Sequence, residues 1–203
     1  MGINEANLGA NKVNYYITRS LSQNVLIAND GTVSESLTIV FKNTSQDKIY
    51  KNYFRVELPI GTNISKITID GKDQKLIGAI DDPAVYEKKG FKPPIGLEVK
   101  KDTQAQNTIY GFLLNIGPKD LQIIQIYYNL QEKLTLINPE FSYSLKLFKQ
   151  PGIDFYPYEL SLSYPESFKV INNVKEIKTI SSRLTFSSQI TRDRELKINF
   201  GAK

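Results

Sequence analysis

The stretch Tyr15–Lys42 has the sequence YYITRSLSQNVLIANDGTVSESLTIVFK and predicts one long two-stranded hairpin. Apolar side chains recur at every second position before and after Asp30-Gly31, the pattern of half-buried antiparallel strands. Asp30-Gly31 tolerates the positive φ angles of a tight hairpin turn. Arg19 and Gln23 stand in phase with the apolar side of the first strand. The apolar positions are Ile17, Leu21, Val25 and Ile27 before the turn and Val33, Leu37, Ile39 and Phe41 after it.

The same alternation continues through most of the chain. Its 12 Tyr and 10 Phe residues also favour strands, where aromatic side chains pack well on a pleated surface. About a dozen short strands, each polar on one face, predict an all-β fold, specifically an antiparallel β-sandwich that is immunoglobulin-like or related. The turns that separate these strands contain Pro59 with Gly61, Asp70-Gly71, Gly117-Pro118 and Pro151-Gly152.

The chain of 203 residues predicts one domain after a short leading segment. Residues 1–14 are polar and predict an extended lead-in that attaches to the first strand, and residues 15–203 predict a single β-sandwich domain. The irregular stretch 81–94 is the candidate sub-boundary, so two stacked sandwiches stay open as an alternative. The spacing of Val174, Ile177 and Ile180 also fits a short helix, and that segment is undecided.

The chain contains neither cysteine nor histidine, which excludes several kinds of chemistry. There is no thiol nucleophile, no disulfide, no Cys/His metal site and no imidazole base. A Ser-His-Asp triad is therefore impossible. We expect no cofactor, no metal and no enzymatic activity.

Acidic residues are grouped at Asp70 with Asp73, at Asp81-Asp82 and at Asp120. Paired carboxylates can serve a glycoside hydrolase, and Asp81-Asp82 could contribute oxygen ligands to calcium. The alternative is that these residues form turns, where Asp side chains accept hydrogen bonds from nearby backbone N–H groups. We favour turns, because Gly or Pro residues adjoin most of these carboxylates.

Aromatic residues after the Pro151-Gly152 turn form the candidate ligand-binding site. Phe155, Tyr156 and Tyr158 would present rings that stack on a sugar or anchor a protein partner. The alternative is that these rings pack in the core or cover the open end of the sandwich.

Basic residues give the chain a formal net charge of +5. Lys88, Lys89 and Lys92 lie in the irregular stretch near the aromatic residues Tyr86 and Phe91. They are the candidate contact for an anionic polymer, although a solvated surface is the ordinary interpretation of such lysines. No nucleic-acid motif is present, and we expect no nucleic-acid partner.

Five segments follow one another in a recognisable order: NLGANKVNYYI (Asn7–Ile17), DGTVSESLTIVFKNTS (Asp30–Ser45), YKNYFRVELPIGT (Tyr50–Thr62), YGFLLNIGPKD (Tyr110–Asp120) and YSLKLFKQPG (Tyr143–Gly152). Together they resemble the C-terminal region of a family of large bacterial proteins catalogued as domain of unknown function four thousand and twelve. The resemblance extends over about Asn7 to Tyr164 and implies a soluble fragment of a surface protein that is anchored by an N-terminal membrane helix. It carries over no catalytic or binding residue.

These observations predict a non-catalytic domain of a bacterial cell-surface protein, in adhesion, presentation or cell-envelope attachment. Its partner would be a cell-envelope polymer or another surface protein, and it would contact a membrane only through an anchor outside this chain. We expect it on the extracellular face. The alternative is a carbohydrate-binding accessory module that uses the aromatic residues at 155–158.

Overall fold

The computed structural model describes residues 1–9, 12–92, 94–104, 107–136, 139–172 and 176–203. Over these residues the fold is nearly all β, with two 3₁₀ turns (Val13–Tyr16 and Pro83–Glu87) and no α-helix. Within the same residues, no helix has the length and hydropathy needed to span a bilayer. The strands are β1 (Gly2–Asn7), β2 (Ile17–Ile27), β3 (Val33–Asn43), β4 (Tyr50–Pro59), β5 (Asn63–Ile69), β6 (Lys72–Asp73), β7 (Leu76–Gly78), β8 (Leu97–Gln104), β9 (Asn107–Ile116), β10 (Leu121–Asn129), β11 (Glu140–Leu147), β12 (Tyr156–Ser163), β13 (Phe168–Val170), β14 (Ile177–Ile180), β15 (Arg183–Ile190) and β16 (Arg194–Ala202).

The predicted hairpin is present as β2 and β3. Its antiparallel register runs from Ile17 opposite Asn43 to Ile27 opposite Val33. Gly31 in the turn has a φ of 81°, and a side chain there would also collide with the carbonyl oxygen of Leu134. Glycine is therefore required for both conformational and steric reasons.

The strands form three sheets. The five-stranded sheet has the order β1-β4-β9-β8-β7, the eight-stranded sheet β14-β15-β12-β2-β3-β10-β5-β6, and the three-stranded sheet β11-β16-β13. The sheets are mixed, because β12 pairs in parallel with β2 and β7 in parallel with β8. The expectation of purely antiparallel sheets is therefore wrong: those strands do not meet through short hairpins, and a long connection permits a parallel pair.

One cluster of buried side chains draws on all three sheets. Phe41 of the eight-stranded sheet meets Phe54 of the five-stranded sheet edge-to-face, with ring centroids 5.8 Å apart. In the three-stranded sheet, Phe141 stacks on Phe200 at 4.6 Å. The contact between Phe41 and Phe54 places apolar area between two sheets, and such burial is the main stabilising contribution to folding.

The leading segment forms β1, which pairs with β4 and not with the opening hairpin. A buried ion pair connects β1 to β2: Glu5 Oε1 lies 2.6 Å from Arg19 Nε. The Tyr50 hydroxyl of β4 donates to Glu5 Oε2 at 2.8 Å. Arg19, which interrupts the apolar pattern of β2, thus has a carboxylate partner on β1.

The irregular stretch 81–94 connects β7 to β8, and these two strands pair with each other. It contains the second 3₁₀ turn, where Asp82 accepts a hydrogen bond from the Ala84 N–H. Of the undecided segment farther along, Val174 lies outside the described residues, and Ile177–Ile180 is strand β14.

Candidate functional site

The structure separates the three predicted ligand-binding aromatics. Tyr156 and Tyr158 have no exposed area, whereas Phe155 is 45% exposed. The two tyrosines occupy inward positions of β12, so their rings cannot stack on a ligand that arrives from solvent. This corrects the prediction for Tyr156 and Tyr158 and leaves Phe155 as the ring available for binding.

Phe155 lines an open groove of about 620 Å³, which we call the aromatic groove. Tyr15, which is 79% exposed, lines the same groove from the first 3₁₀ turn. The outer face of the hairpin contributes Thr18 of β2 and its register partner Lys42 of β3. The groove therefore combines two accessible rings with polar side chains.

Polar groups in the aromatic groove offer both donors and acceptors. Asn14, Thr18 and Ser20 are neutral, Lys42 is cationic and Asp154 is anionic. Arg19 also lines the groove, but its guanidinium is engaged by Glu5. Rings for stacking and mixed polar groups for hydrogen bonding suit a polyhydroxylated ligand such as a sugar.

The predicted anionic-polymer contacts, Lys88, Lys89 and Lys92, are all exposed. They follow the second 3₁₀ turn on the connection between β7 and β8. Nearby, Lys100 Nζ donates a hydrogen bond to Asp81 Oδ1 at 2.9 Å, and this bond to a carboxylate raises the pKa of Lys100. The three lysines can meet a polymer, but they lie on a different element from the aromatic groove.

The turn prediction holds for Asp70 and Asp82, whereas Asp73 lies in β6 and Asp81 lies outside any turn. Asp82 caps a 3₁₀ turn, Asp81 pairs with Lys100, and Asp70 accepts the Ile123 N–H at 2.8 Å. Asp70 also adopts a positive φ of 50° at its turn. In the described part of the chain, no group of three or more acidic side chains is arranged to hold a metal ion.

A buried polar network, which we call the Glu35 network, was not predicted. Tyr128 and Tyr143 donate their hydroxyl protons to the Glu35 carboxylate, each at 2.8 Å. Gln23 donates its amide N–H to the same carboxylate at 2.5 Å, and the Tyr158 hydroxyl donates to Gln23 Oε1 at 2.7 Å. The network thus connects β2, β3, β10, β11 and β12.

Burial has a strong effect on the acidities in the Glu35 network. Desolvation raises the pKa of Glu35, although the hydrogen bonds from Tyr128, Tyr143 and Gln23 act in the opposite direction. Burial, reinforced by the Glu35 charge, also raises the pKa of Tyr128 and Tyr143 well above the ordinary value. The two hydroxyls therefore stay protonated and act as donors.

A signal for the Glu35 network was present in the hairpin sequence. Glu35 stands in phase with Val33 and Leu37, as Gln23 does with Leu21 and Val25. The Asp30-Gly31 turn pairs Gln23 with Leu37 and Val25 with Glu35, so Gln23 and Glu35 are diagonal cross-strand neighbours. Two inward polar residues at adjacent positions predict a shared buried hydrogen bond.

Comparison with known proteins identifies a shared fold but no family. No family model and no curated protein matches the chain. A candidate nutrient binding protein from Legionella pneumophila superimposes with a TM-score of 0.55 at 9% identity, over 92% of this chain and 67% of that one.

Two further structures give lower scores. Yeast LTA4 hydrolase gives a TM-score of 0.49 at 8% identity over 93% of this chain, and an M1 zinc metallopeptidase from Deinococcus radiodurans gives 0.41 at 10% identity over 91%. This chain spans 29% of the yeast protein and 42% of the metallopeptidase. At these identities the chain is similar to the Legionella protein in fold alone.

Proposed function

We propose that this chain is a non-catalytic, extracytoplasmic domain of a bacterial cell-surface protein that acts in adhesion, presentation or cell-envelope attachment. The observation that carries the proposal is the aromatic groove, which the exposed rings of Tyr15 and Phe155 line together with polar and apolar side chains. Soluble proteins seldom leave large rings exposed together unless they bind a partner. The partner is a cell-envelope polymer or another surface protein.

Placement at the cell surface is supported by the sequence resemblance to the anchored bacterial family, and that family membership is part of the proposal. We further propose that the two larger sheets form a β-sandwich related to the immunoglobulin-like architecture. The contact between Phe41 and Phe54 supports this arrangement, because it joins the buried faces of the two sheets.

A second candidate function is that of a carbohydrate-binding accessory module. The specific observation in its favour is that Phe155 and Tyr15 line one groove together with hydrogen-bonding side chains. Rings stack on the apolar face of a sugar, while hydroxyl and amide groups bind its oxygens. Tyr156 and Tyr158 take no part, since they are buried.

Both candidates are tested by measuring binding to purified cell-wall polysaccharide and to a glycan array. Truncating Tyr15 and Phe155 to Ala together should weaken binding by at least about fivefold, since losing an aromatic contact costs on the order of 1 kcal/mol. The matched control is Tyr16→Ala, because Tyr16 is 46% exposed but does not line the groove.

The outcomes of this experiment distinguish the candidates. Binding to short glycans on the array that needs Tyr15 and Phe155 supports the carbohydrate module, whereas binding that needs the same residues but is confined to the purified cell-wall polysaccharide supports cell-envelope attachment. Binding that is equal in all variants would refute a role for the groove. Polysaccharide hydrolysis that disappears in Asp81→Asn or Asp82→Asn would overturn the non-catalytic assignment.

A further inference from the structure

A second cavity, of about 690 Å³, lies on the outer face of the eight-stranded sheet, and we call it the polar cavity. Ser22 and Asn24 of β2 line it, and so do Glu159 and Ser161 of β12. These side chains are exposed or half-exposed and alternate with buried positions along their strands, so they point away from the core. The neighbouring strands β14 and β15 add Lys178, Arg183, Thr185 and Ser187 to the lining.

The polar cavity continues the aromatic groove along the same two strands. On β2 the groove ends at Ser20, and the polar cavity begins at Ser22, the next outward position. On β12 the groove ends at Pro157, and the polar cavity begins at Glu159. The two strands are parallel neighbours, with Ser22 opposite Glu159. The groove and the polar cavity therefore form one continuous surface, which we call the β2–β12 track.

The β2–β12 track is longer than a single sugar ring. From Thr18 in the groove to Asn24 in the polar cavity, β2 advances by about 20 Å at the rise of an extended strand. A side chain points outward at every second position, so contact groups recur along a nearly straight line. An extended, ribbon-like polymer can contact the strand pair over this whole length, whereas a compact ligand would occupy one cavity.

The two ends of the track offer different kinds of contact. The aromatic groove provides the exposed rings of Tyr15 and Phe155 for stacking. Among the described residues that line the polar cavity, the only ring is that of Phe186, which is 2% exposed, so this end binds through hydroxyl and amide groups. A chain of sugars can use both contacts, because one sugar stacks on a ring while the next sugars form hydrogen bonds.

The charged side chains along the track balance one another. In the aromatic groove, Glu5 neutralises Arg19. The other charged residues of the groove, Lys42 and Asp154, have opposite signs. A surface without net charge gives no long-range attraction to a polyanion, so this balance favours a neutral polymer. The polar cavity is balanced as well, since its charged lining residues are Glu159, Glu176, Lys178 and Arg183.

We propose that the β2–β12 track binds an extended, neutral, β-linked polysaccharide, with one sugar stacked in the aromatic groove and the following sugars hydrogen-bonded to Ser22 and Asn24. This inference rests on the proposed function, because the groove must itself bind a sugar, and it adds the length, charge and direction of the chain. The competing explanation is that the polar cavity is only hydrated sheet surface. That explanation predicts an affinity that does not grow once the groove is filled.

The experiment measures how affinity depends on the length of the sugar chain. Cello-oligosaccharides and chito-oligosaccharides, which are neutral, extended and β-linked, are titrated from the monomer to the hexamer into the full chain by calorimetry. Affinity should rise by about tenfold or more from the dimer to the hexamer in at least one series, because the longer chain reaches the hydrogen-bonding groups of the polar cavity. The cellouronate hexamer, which has the cellulose backbone with added carboxylates, should bind no better than the neutral hexamer.

The polar cavity is tested with the double variant Ser22→Ala and Asn24→Ala. It should weaken binding of the hexamer by about fivefold or more, the factor expected from losing hydrogen bonds, and leave binding of the dimer unchanged. The matched control is Thr38→Ala with Ser36→Ala. These two residues of β3 are the register partners of Ser22 and Asn24 and line neither cavity, so the control should bind the hexamer as the parent chain does.

The proposal is overturned by equal affinity for dimer and hexamer, by an equal loss in the two double variants, by tighter binding of the cellouronate, or by no binding of either neutral series up to about 10 mM. Length-independent binding that still needs Tyr15 and Phe155 would refute the track and leave the proposed function of the groove intact. Oligosaccharide binding that does not need these two rings would refute both. If the Ser22 and Asn24 variant does not fold, the length series in the parent chain decides.

Discussion

Glu5 and Glu35 are both buried carboxylates, but their partners differ. The Glu5 side chain is 3% exposed and pairs with Arg19, whose side chain is 9% exposed. Glu35 is 6% exposed, and the described side chains that bind it are neutral. The same chemical group is thus stabilised by a positive charge at the β1–β2 contact and, on β3, by hydroxyl and amide donors from β2, β10 and β11.

The difference teaches that burial alone does not decide how a carboxylate affects stability. When one partner of a buried ion pair is removed, the other charge stays buried without an opposite charge. The free energy of unfolding then falls strongly. A carboxylate held by neutral donors can take up a proton, so its contribution depends on pH. The predictions below test this contrast, beginning with the largest effect.

The largest effect is expected for Arg19→Met, which removes the positive charge and leaves Glu5 buried. We expect the free energy of unfolding to fall by about 3–5 kcal/mol, the cost of breaking one side of a buried pair. Urea denaturation monitored by circular dichroism measures it. Lys66→Met is the control, because Lys66 and Asp73 form an exposed pair with side chains 46% and 70% exposed. The control should leave the free energy of unfolding nearly unchanged, because solvent screens an exposed pair, and equal losses in the two variants would contradict the assignment.

Tyr143→Phe should give the next largest effect, because it removes one of the hydrogen bonds to Glu35. Above the raised pKa of Glu35 we expect a loss of about 1–3 kcal/mol in the free energy of unfolding, since a charged acceptor is left unsatisfied in the interior. The loss should become smaller at acidic pH, where Glu35 is protonated. Tyr15→Phe is the matched control because Tyr15 is 79% exposed, and it should leave stability unchanged.

Glu35→Gln tests directly how the free energy of unfolding depends on pH. The folded-state pKa of Glu35 is raised above 4.5, so the folded chain binds more protons than the unfolded chain between 4.5 and the raised value. Stability from this group is therefore full below pH 4.5 and is lost as pH rises through that window, by up to about 1.4 kcal/mol per pH unit. Glu35→Gln should remove this slope.

The measurement is a series of urea unfolding curves from about pH 4 to about pH 8, which brackets the ordinary and the raised range of a carboxyl group. Other groups titrate as well, including the Met1 amine with its pKa of about 6, so the difference between variant and parent is the informative quantity. The exposed Glu159→Gln serves as control and should retain the slope. An unchanged slope in Glu35→Gln would show that Glu35 is not the group responsible.

Local signals in the sequence predicted the hairpin but not its long-range partners. The Asp30-Gly31 turn and the two-residue alternation determine β2 and β3, because both act between near neighbours along the chain. The parallel pairing of β2 with β12 joins segments that are far apart in sequence, and no short turn fixes their register. The same limit applies to β1, which pairs with β4 and not with the hairpin.

The candidate site was also predictable only in part, because local sequence patterns do not show which distant residues meet. Alternation with Leu160 and Leu162 already indicated that Tyr158 faces the core, and its position after a turn gave the competing surface interpretation. Phe155 is exposed because it precedes β12 on the connecting segment. The burial of Glu35 depends on hydroxyl donors from β10 and β11, which no pattern within the hairpin contains.

Tyr158→Phe should give the smallest effect and separates the neutral part of the Glu35 network from the charged part. Tyr158 donates its hydroxyl proton to Gln23 Oε1, and Gln23 in turn binds the Glu35 carboxylate. Losing this hydrogen bond to a neutral acceptor should lower the free energy of unfolding by about 0.5–1.5 kcal/mol. Because Gln23 does not titrate, we expect nearly the same loss at acidic and neutral pH, unlike the loss in Tyr143→Phe. A strongly pH-dependent loss in Tyr158→Phe would mean that the Glu35 charge extends its influence through Gln23, and the network would then act as one cooperative unit.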